Sequence, residues 1–405
     1  MSKRPEILAP AGSLSKLKFA FTYGADAVYV GGESFSLREA AENFTMDELR
    51  EGIEYAHARG KKVYITANII PHNKDLEEFK TYIKEVYEMG ADAAIISDLG
   101  LFDIARTIAP NLDIHISTQA NNVNYASANA WYKMGAKRII VARELSLEEI
   151  GEIRQNIPED LEIECFVHGA MCISYSGRCL LSNYMTGRDS NLGACAHPCR
   201  WKYYLMEEQR PGEYMPVVEN DRGTFIYNSK DLCMIRHLKE LADAGVSSFK
   251  IEGRVKTEYY VATVTKAYKD ALSDALSGKP FNEQHYAELE KISHREYTTG
   301  FFFGKPGGNE QIYTSSSYKR LYDLVGIVEG YDAEKNMLIV QQRNKFSVGD
   351  TVEILRPDGD YITFKVEKMF NEKHEEIENC PHAMMKLYIP CEHECPENSI
   401  LRKEK

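Results

Sequence analysis

The stretch Gly24-Ala25-Asp26-Ala27-Val28-Tyr29-Val30-Gly31-Gly32 joins a glycine turn to a short apolar run, and its pattern recurs along the first part of the chain. A glycine before such a run is typical of a helix that ends in a left-handed cap, and the run itself is typical of a buried strand. Similar turns begin at Gly90, Gly135 and Gly245. A helix end that repeatedly precedes a buried strand predicts βα units around a parallel sheet.

Eight apolar runs fit this description, and helical patterns of roughly 10 to 18 residues separate most of them. The predicted strands span residues 6–9, 27–30, 62–67, 93–97, 113–117, 138–142, 161–167 and 248–251. Eight parallel strands close a barrel, whereas a dinucleotide-binding open sheet carries a Gly-x-Gly-x-x-Gly turn after its first strand, and none follows here. We therefore predict an α/β fold, a TIM-like (β/α)8 barrel, rather than an open doubly wound sheet.

The remaining segments predict the domain organisation. The barrel domain covers residues 1–277, with a long cysteine-rich insertion at 169–246 after the seventh strand and a helix at about 256–277 after the eighth. The carboxyl ends of barrel strands carry the chemistry, so the insertion should lie over the active face. A polar linker follows at 278–320, and alternating residues over 321–405 predict a small β-barrel domain. Its predicted strands lie within 324–331, 336–342, 345–350, 351–360, 361–370 and 385–390.

Composition limits the classes of function. The net charge is −12, and no apolar stretch is long enough to span a bilayer, so we expect no membrane association. The first residues run from a short basic tip into a strand without the apolar core of a signal peptide, so we expect a cytoplasmic protein. In that reducing compartment, metal or redox chemistry explains nine cysteines better than disulfides do. The negative charge repels nucleic acid at long range, so an RNA substrate would need a localised basic surface or a partner.

Five cysteines in the insertion are the strongest chemical signal. They are Cys172, Cys179, Cys195, Cys199 and Cys233. Thiolates are ligands of iron-sulfur clusters, and a loop that contains glycine can bend so that several of them converge. Four sulfurs also suit a structural zinc ion, although the paired Cys-x-x-Cys knuckles of zinc ribbons are absent. Spacing alone therefore leaves a cluster, zinc and buried free thiols open.

Two further patterns are weaker. The motifs His-Glu-x-x-His and Gly-x-Ser-x-Gly do not occur, so the sequence carries no common metallopeptidase or serine-hydrolase signature. Near the carboxyl terminus stand Cys380, His382, Cys391, His393 and Cys395. We interpret them as solvated surface residues rather than zinc ligands, because the cysteines fall on separate strand ends.

Four segments resemble one known family. They are residues 164–182, Glu6-Ile7-Leu8-Ala9-Pro10-Ala11-Gly12-Ser13, residues 24–32 and Lys250-Ile251-Glu252-Gly253-Arg254. Together they resemble the collagenase-like peptidase U32 family over essentially the whole chain, and within it the branch that hydroxylates tRNA. The resemblance implies a tRNA uridine hydroxylase that installs a hydroxyl group at C5 of the wobble uridine. Peptidase activity rests on the family name alone.

The resemblance also implies a cofactor and partners. A four-iron, four-sulfur (4Fe-4S) cluster would be held by Cys172, Cys179, Cys195 and Cys233, with Cys199 close enough to Cys195 to replace it. Prephenate is implied as a co-substrate, tRNA as the substrate, and a paralogous family member as the partner in a heteromeric complex. The alternatives are a U32-type peptidase and a cluster or zinc scaffold without chemistry of its own.

Polar residues at the predicted carboxyl ends of strands form the candidate catalytic set. A dicarboxylate such as prephenate pairs well with guanidinium groups, so Arg143, Arg178 and Arg254 are candidates to bind it. His168, at the end of the seventh strand, is the fourth candidate. For each arginine, an ion pair that stiffens the barrel rim is the competing interpretation. Comparable positions are held by Asn68, Asp98, Gln119 and Glu252.

Overall fold

The computed structural model confirms the predicted barrel. It describes residues 4–37, 43–172, 175, 178–201, 204–205, 215–216, 230–304 and 318–405. Strands β1 to β12 lie at Glu6–Pro10, Ala27–Gly31, Lys62–Ala67, Ala93–Ile96, Asp113–Ile116, Arg138–Ile140, Glu162–Ala170, Tyr204–Leu205, Met215–Pro216, Asp231–Cys233, Ser248–Ile251 and Tyr297–Thr298. Strands β1 to β7 and β11 pair in parallel, and β11 pairs with both β7 and β1, which closes a ring of eight strands. These are the eight strands that the sequence predicts.

Helices connect most consecutive barrel strands. Helices α1 to α10 lie at Leu14–Thr22, Met46–His57, Leu76–Glu88, Leu99–Ile108, Tyr125–Met134, Leu147–Gln155, Leu181–Thr186, Leu238–Asp243, Glu258–Leu276 and Glu283–Glu290. Side chains of Ser13, Thr45 and Asp98 accept backbone N–H groups in the first turns of α1, α2 and α4. The predicted turn glycines Gly24, Gly90, Gly135 and Gly245 have φ values of 102°, 84°, 105° and 86°. Such values strain any residue with a Cβ atom, so the repeated glycine is explained.

The predicted insertion and linker both contain secondary structure. Near the end of the insertion, β10 pairs antiparallel with the last residues of β7, and β12 lies beside β10. Helix α8 then leads into β11, and α10 in the linker packs on α9. Within the ranges that the structure describes, no helix is both long and apolar enough to cross a membrane.

The carboxyl-terminal domain is an antiparallel half-barrel of six strands, which confirms the predicted small β domain. Strands β13 to β18 lie at Tyr322–Asp332, Met337–Gln342, Thr351–Leu355, Ile362–Lys365, Lys386–Pro390 and Ile400–Glu404. Their order in the sheet is β16-β15-β18-β13-β14-β17. Two details of the prediction were wrong. Strand β18 was missed although it lies near the centre of the sheet, and residues 345–350 form a turn with one isolated bridge at Ser347.

The three cysteines of this domain are buried, so their interpretation as solvated residues was wrong. Cys380, Cys391 and Cys395 are 0%, 7% and 1% exposed and belong to the apolar core of the half-barrel. A free cysteine packs as a small apolar side chain, and here the strand ends and loops that carry the cysteines pack into this core. His382 and His393 are exposed, as predicted.

Buried charges join the two domains. The guanidinium of Arg402 on β18 lies 2.6 Å from the Glu288 carboxylate of α10 and 2.8 Å from that of Glu353 on β15. The side chains of Arg402 and Glu288 are both fully buried. In addition, the Tyr23 hydroxyl of the barrel domain donates a hydrogen bond of 2.9 Å to the Leu355 carbonyl. The half-barrel is therefore fixed against the barrel through directional contacts.

A charged network fills part of the barrel interior. Arg138 of β6 donates to the carboxylates of Glu6 and Glu164 at 2.5 and 2.9 Å, and Lys250 of β11 donates to Glu164 at 2.7 Å. Burial alone would raise the pKa of Glu6, but the charge and hydrogen bond of Arg138, together with hydrogen bonds from Ser248 and Tyr64, outweigh it, so the pKa is lowered. Buried charges of opposite sign that are paired in this way are tolerated inside a core.

His115 of β5 lies in the same interior and makes stability depend on pH. Burial, followed by the charges of Arg138 and Lys250, lowers the pKa of His115 well below 6.5. The folded state therefore keeps the ring neutral while the unfolded chain protonates, so stability is lost as the pH falls below about 6.5. Replacing His115 by phenylalanine should remove about 1.2 kcal/mol per pH unit from the slope of unfolding free energy between pH 6 and 5.

Urea titrations of the wild type and the His115→Phe variant at several pH values would measure this slope. His382 is exposed on the half-barrel, so His382→Phe is the matched control and should leave most of the slope in place. Identical slopes for the wild type and His115→Phe would contradict the assignment.

Candidate functional site

A cavity of about 1070 Å³ opens at the carboxyl ends of the barrel strands, between the barrel and the half-barrel. One wall comes from segments that directly follow strands β5, β6, β7 and β11, such as Gln119, Arg143, Cys172 and Glu252. The carboxyl ends of parallel strands meet at one face of a barrel, so residues distant in sequence converge there. The opposite wall comes from the start of β13 and the end of β14.

Four of the five predicted cysteine ligands line this cavity. They are Cys172, Cys179, Cys195 and Cys199. The backbone N–H of Leu181 donates to the Cys179 sulfur at 3.3 Å, and that of His197 donates to the Cys195 sulfur at 3.4 Å. Such bonds stabilise negative charge on sulfur, and hydrogen bonds of this kind tune the sulfurs of iron-sulfur centres. This wall therefore carries a donor set that suits a soft metal centre.

The backbone around Cys179 is anchored within the insertion. Its N–H donates to the Asn191 side-chain oxygen at 3.2 Å, and its carbonyl accepts from the Ser190 hydroxyl at 2.6 Å. The Ser182 hydroxyl in turn accepts from the backbone N–H of Ala196, next to Cys195, at 3.0 Å. Side chains just before Cys195 thus bind the backbone of Cys179, and a side chain just after Cys179 binds the backbone next to Cys195. These bonds keep the two thiols on the same wall.

The fifth cysteine, Cys233, lies behind this wall on β10. On β10 it pairs with His168 of β7. In the chain, His168 lies two residues before Ala170 and four residues before Cys172. Burial raises the pKa of the Cys233 thiol to about 11, and the Tyr268 hydroxyl lies 3.9 Å from its sulfur. In the described parts of the chain, no three histidine, cysteine, aspartate or glutamate side chains meet closely enough to hold one metal ion.

His168 is enclosed by aromatic rings rather than exposed to the cavity. It is 1% exposed, and the rings of Tyr260, Tyr268 and Tyr297 lie 6.0, 5.4 and 5.4 Å from its own. Burial, then the charges of His294 and Lys256, lower the pKa of His168 to about 3. The ring is therefore neutral at physiological pH and sits next to Cys233 in the second layer of the site.

Arg143 is the predicted arginine that the structure brings to the cavity wall. Its guanidinium donates to the Ala170 carbonyl at 2.8 Å, lies 3.6 Å from the Glu252 carboxylate and stacks 3.9 Å from the centre of the Phe166 ring. These contacts fix the planar group beside the backbone that leads to Cys172. A guanidinium held in this way can pair with the two oxygens of a carboxylate.

The other two candidate arginines have different surroundings. Arg178 is exposed and donates to the Gln119 carbonyl at 2.9 Å, so it joins the cysteine loop to the rim of the barrel. Arg254 is 5% exposed and donates to the hydroxyls of Ser36 and Thr66, near the ends of β2 and β3. Neither side chain lines the cavity. Asp98, one of the further candidates, caps α4.

Sequence reasoning missed the second wall of the cavity. Its residues Tyr318, Arg320, Tyr322 and Arg343 come from the start of the half-barrel domain, and Lys256 faces them from the barrel. The Lys256 ammonium lies 4.4 Å from the centre of the Tyr318 ring. No local motif marks these residues, because they approach the barrel face only when the two domains dock.

Comparison with known proteins finds relatives over the full length. The profile of peptidase family U32 matches residues 12–312, and that of the peptidase family U32 C-terminal domain matches residues 320–402. The chain is 42% identical to tRNA hydroxylation protein P of Escherichia coli, over 96% of this chain and 94% of that protein. It is 39% identical to tRNA hydroxylation protein P1 of Bacillus subtilis, over 100% and 96%. It is also 35% identical to the 23S rRNA 5-hydroxycytidine C2501 synthase of Escherichia coli, over 76% and 46%.

Proposed function

The chain belongs to the peptidase U32 family, and from that premise we propose that it is an enzyme that hydroxylates tRNA at C5 of the wobble uridine. The observation that carries the proposal is similarity at about 40% identity, over nearly the whole of both chains, to relatives named tRNA hydroxylation proteins. A more distant relative is named for hydroxylating a pyrimidine in ribosomal RNA, which supports RNA hydroxylation as the reaction class.

The cavity supports a nucleotide as the substrate. Enzymes that act on one base move it out of its stack into a pocket, where aromatic side chains hold it by stacking. Tyr175 lines the cavity and is 51% exposed, so its ring can stack on a base. Tyr175 follows Cys172 by three residues, so a base stacked on its ring would lie close to the cysteine wall.

We propose that the cysteines of the cavity hold a 4Fe-4S cluster. Cys172, Cys179 and Cys195 would have to move closer together to supply three thiolates to one cluster, and the fourth would be Cys233, as the resemblance implies, or Cys199, which shares the cavity wall. When bound, the cluster supplies redox chemistry close to the substrate. Exchange of the C5 hydrogen for a hydroxyl group oxidises uridine by two electrons, so the reaction needs an oxygen donor and an electron acceptor besides the uridine. We propose prephenate as a co-substrate that the reaction requires.

The fixed guanidinium of Arg143 is the candidate partner of a prephenate carboxylate. Arg143→Met should lower the yield of hydroxyuridine about 10- to 100-fold, because a hydrogen-bonded charge pair contributes about 1.5–3 kcal/mol. It should also raise the prephenate concentration needed for half-maximal rate, while iron content stays at the wild-type level. Arg50 is exposed on α2 and lines no part of the cavity, so Arg50→Met is the matched control. Wild-type kinetics for Arg143→Met would remove Arg143 from the site.

Nucleoside mass spectrometry tests the proposed function. The full chain would be expressed in a bacterial strain that lacks its own tRNA hydroxylation proteins, and tRNA and ribosomal RNA would be digested separately. We expect 5-hydroxyuridine to return in the tRNA fraction and to be absent with an empty vector. Hydroxylated cytidine in ribosomal RNA without hydroxyuridine in tRNA would contradict the proposed substrate.

We propose that the enzyme works in the cytoplasm, where tRNA is abundant. A heteromeric complex with a paralogous family member stays a prediction. Co-purification of a tagged chain with such a paralogue, from cells that contain both, would test it.

A further inference from the structure

Two arginines of the half-barrel face the cavity from neighbouring strands. Arg320 precedes β13 and Arg343 directly follows β14, and both line the cavity. The two strands are antiparallel, so the start of one lies beside the end of the other. The backbone N–H of Arg343 donates to the Val325 carbonyl at 2.9 Å, which fixes this edge of the sheet. The bridge between His294 and Lys319 ties the same edge to the barrel domain.

Both guanidinium groups are available to a ligand. Arg320 and Arg343 are exposed, and within the described ranges neither side chain has a hydrogen-bond or ion-pair partner. In contrast, Arg402 of the same domain is fully buried and paired with Glu288 and Glu353. The charge of Arg402 is neutralised by carboxylates of the protein. The charges of Arg320 and Arg343 are not, so these two side chains can bind an anionic ligand.

The charge of the cavity differs in sign from that of the chain. Its walls carry four cationic side chains, Arg143, Lys256, Arg320 and Arg343, against three acidic ones, Glu144, Glu252 and Asp323. Two of the acids already face cations: Glu252 lies 3.6 Å from Arg143, and Asp323 lies 3.5 Å from Lys405. Among these seven side chains the cavity has a surplus of one positive charge, carried by Lys256, Arg320 and Arg343, in a chain with a net charge of −12. A local positive surplus is what an acidic protein needs in order to hold a polyanion.

We propose that Arg320 and Arg343 bind backbone phosphates of the RNA next to the nucleotide that enters the cavity. This inference rests on the proposed function and assigns half of the RNA site to the carboxyl-terminal domain. A planar guanidinium group can pair with two phosphate oxygens at once. RNA is favoured over the small dicarboxylate because both guanidinium groups are exposed and belong to the half-barrel, whereas Arg143 is largely buried in the barrel domain.

Salt-dependent binding tests this inference with a tRNA transcript that carries uridine at the wobble position. The double variant Arg320→Ala/Arg343→Ala should bind the transcript about 10- to 100-fold more weakly than the wild type. Each lost phosphate contact should also lower the slope of log affinity against log salt by about 0.7 to 0.9. Arg320→Lys/Arg343→Lys keeps both charges, so it should retain most of the slope.

The matched control is Lys365→Ala/Lys368→Ala. These lysines are exposed on the same domain and line no part of the cavity. Their replacement removes two positive charges, as the replacement of the two arginines does. We expect this control to bind the transcript as the wild type does. Iron content and thermal unfolding midpoint should be equal in all variants, because no replaced side chain has a buried contact.

The outcomes separate this inference from the proposed function. If the wild type hydroxylates tRNA and the arginine double variant binds with unchanged affinity and slope, the inference is overturned and the proposed function stands. An increased requirement for prephenate with unchanged tRNA binding would also overturn it, because the arginines would then serve the small co-substrate. If the wild type binds the transcript but modifies no RNA in cells, the proposed function fails instead.

Discussion

Replacing Cys172 by alanine is expected to remove the bound iron and to lower tRNA hydroxylation at least about 100-fold, since changes outside the ligand shell already have effects of about 10- to 100-fold. Cys172 is exposed on the cavity wall just beyond β7, so its removal leaves the core intact. The protein binds an iron-sulfur cluster less tightly when one of the ligating thiolates is missing. The redox chemistry proposed for the cavity is then lost with the cluster. Iron analysis of protein purified without oxygen, with nucleoside mass spectrometry of tRNA from the same cells, measures both effects.

The control for this prediction is Cys165→Ala. Cys165 is 2% exposed on β7, lies outside the cavity, and belongs to the barrel core. We expect Cys165→Ala to keep its iron and its activity. Iron and activity retained in Cys172→Ala would remove this cysteine from the ligand set.

The fourth ligand is decided by two parallel variants. Cys199→Ala should be close to the wild type if Cys233 is the ligand, and Cys233→Ala should then lose iron. The reverse result would assign the role to Cys199, which already lines the cavity. Cys233 stands opposite His168 on β10, so its use requires the β10 segment to bring the thiol towards the cavity.

The second large effect concerns the joint between the domains. Arg402→Met should destabilise the protein by about 1.5–3 kcal/mol, because it removes the buried cation shared by Glu288 and Glu353 and leaves only Lys291, 2.8 Å from each carboxylate, as their cation. The half-barrel supplies one wall of the cavity, so we also expect weaker tRNA binding from this variant. Differential scanning calorimetry measures the loss as a lower unfolding midpoint.

Two variants make this prediction specific. Lys239→Ala removes an exposed ion pair with Asp243 on α8 and should change stability by only about 0.3–0.5 kcal/mol. The double variant Arg402→Met/Glu288→Leu removes both charges and should recover much of the loss, since paired buried charges contribute little net stability. An Arg402→Met midpoint equal to that of the wild type would contradict the proposed role of this pair.

The barrel could be predicted from sequence because its signals are local. Each strand is a short apolar run, and residues such as Gly24 and Gly135 must be glycine where helices end with positive φ. The cysteine wall was predicted for a similar reason, since Cys172 and Cys179 follow the seventh strand and active groups collect at that face.

Other parts of the molecule could not be predicted from local patterns. Strand β18 has the sequence Ile-Leu-Arg-Lys-Glu, which resembles a polar tail. Arg402 within it is nevertheless buried, because it forms ion pairs with Glu288 and Glu353. Arg320 and Arg343 join the cavity only through the docking of two domains. Arg254 matched the pattern of a site residue, but its guanidinium is held below the surface by Ser36 and Thr66.

Iron and acid-labile sulfide, counted per chain after purification of the full protein without oxygen, test the central claim most directly. The cysteine wall predicts about four of each per chain, with the visible absorbance of an iron-sulfur cluster. One zinc ion per chain with neither iron nor sulfide would contradict it, and the oxidation proposed for the cavity would then have no redox centre.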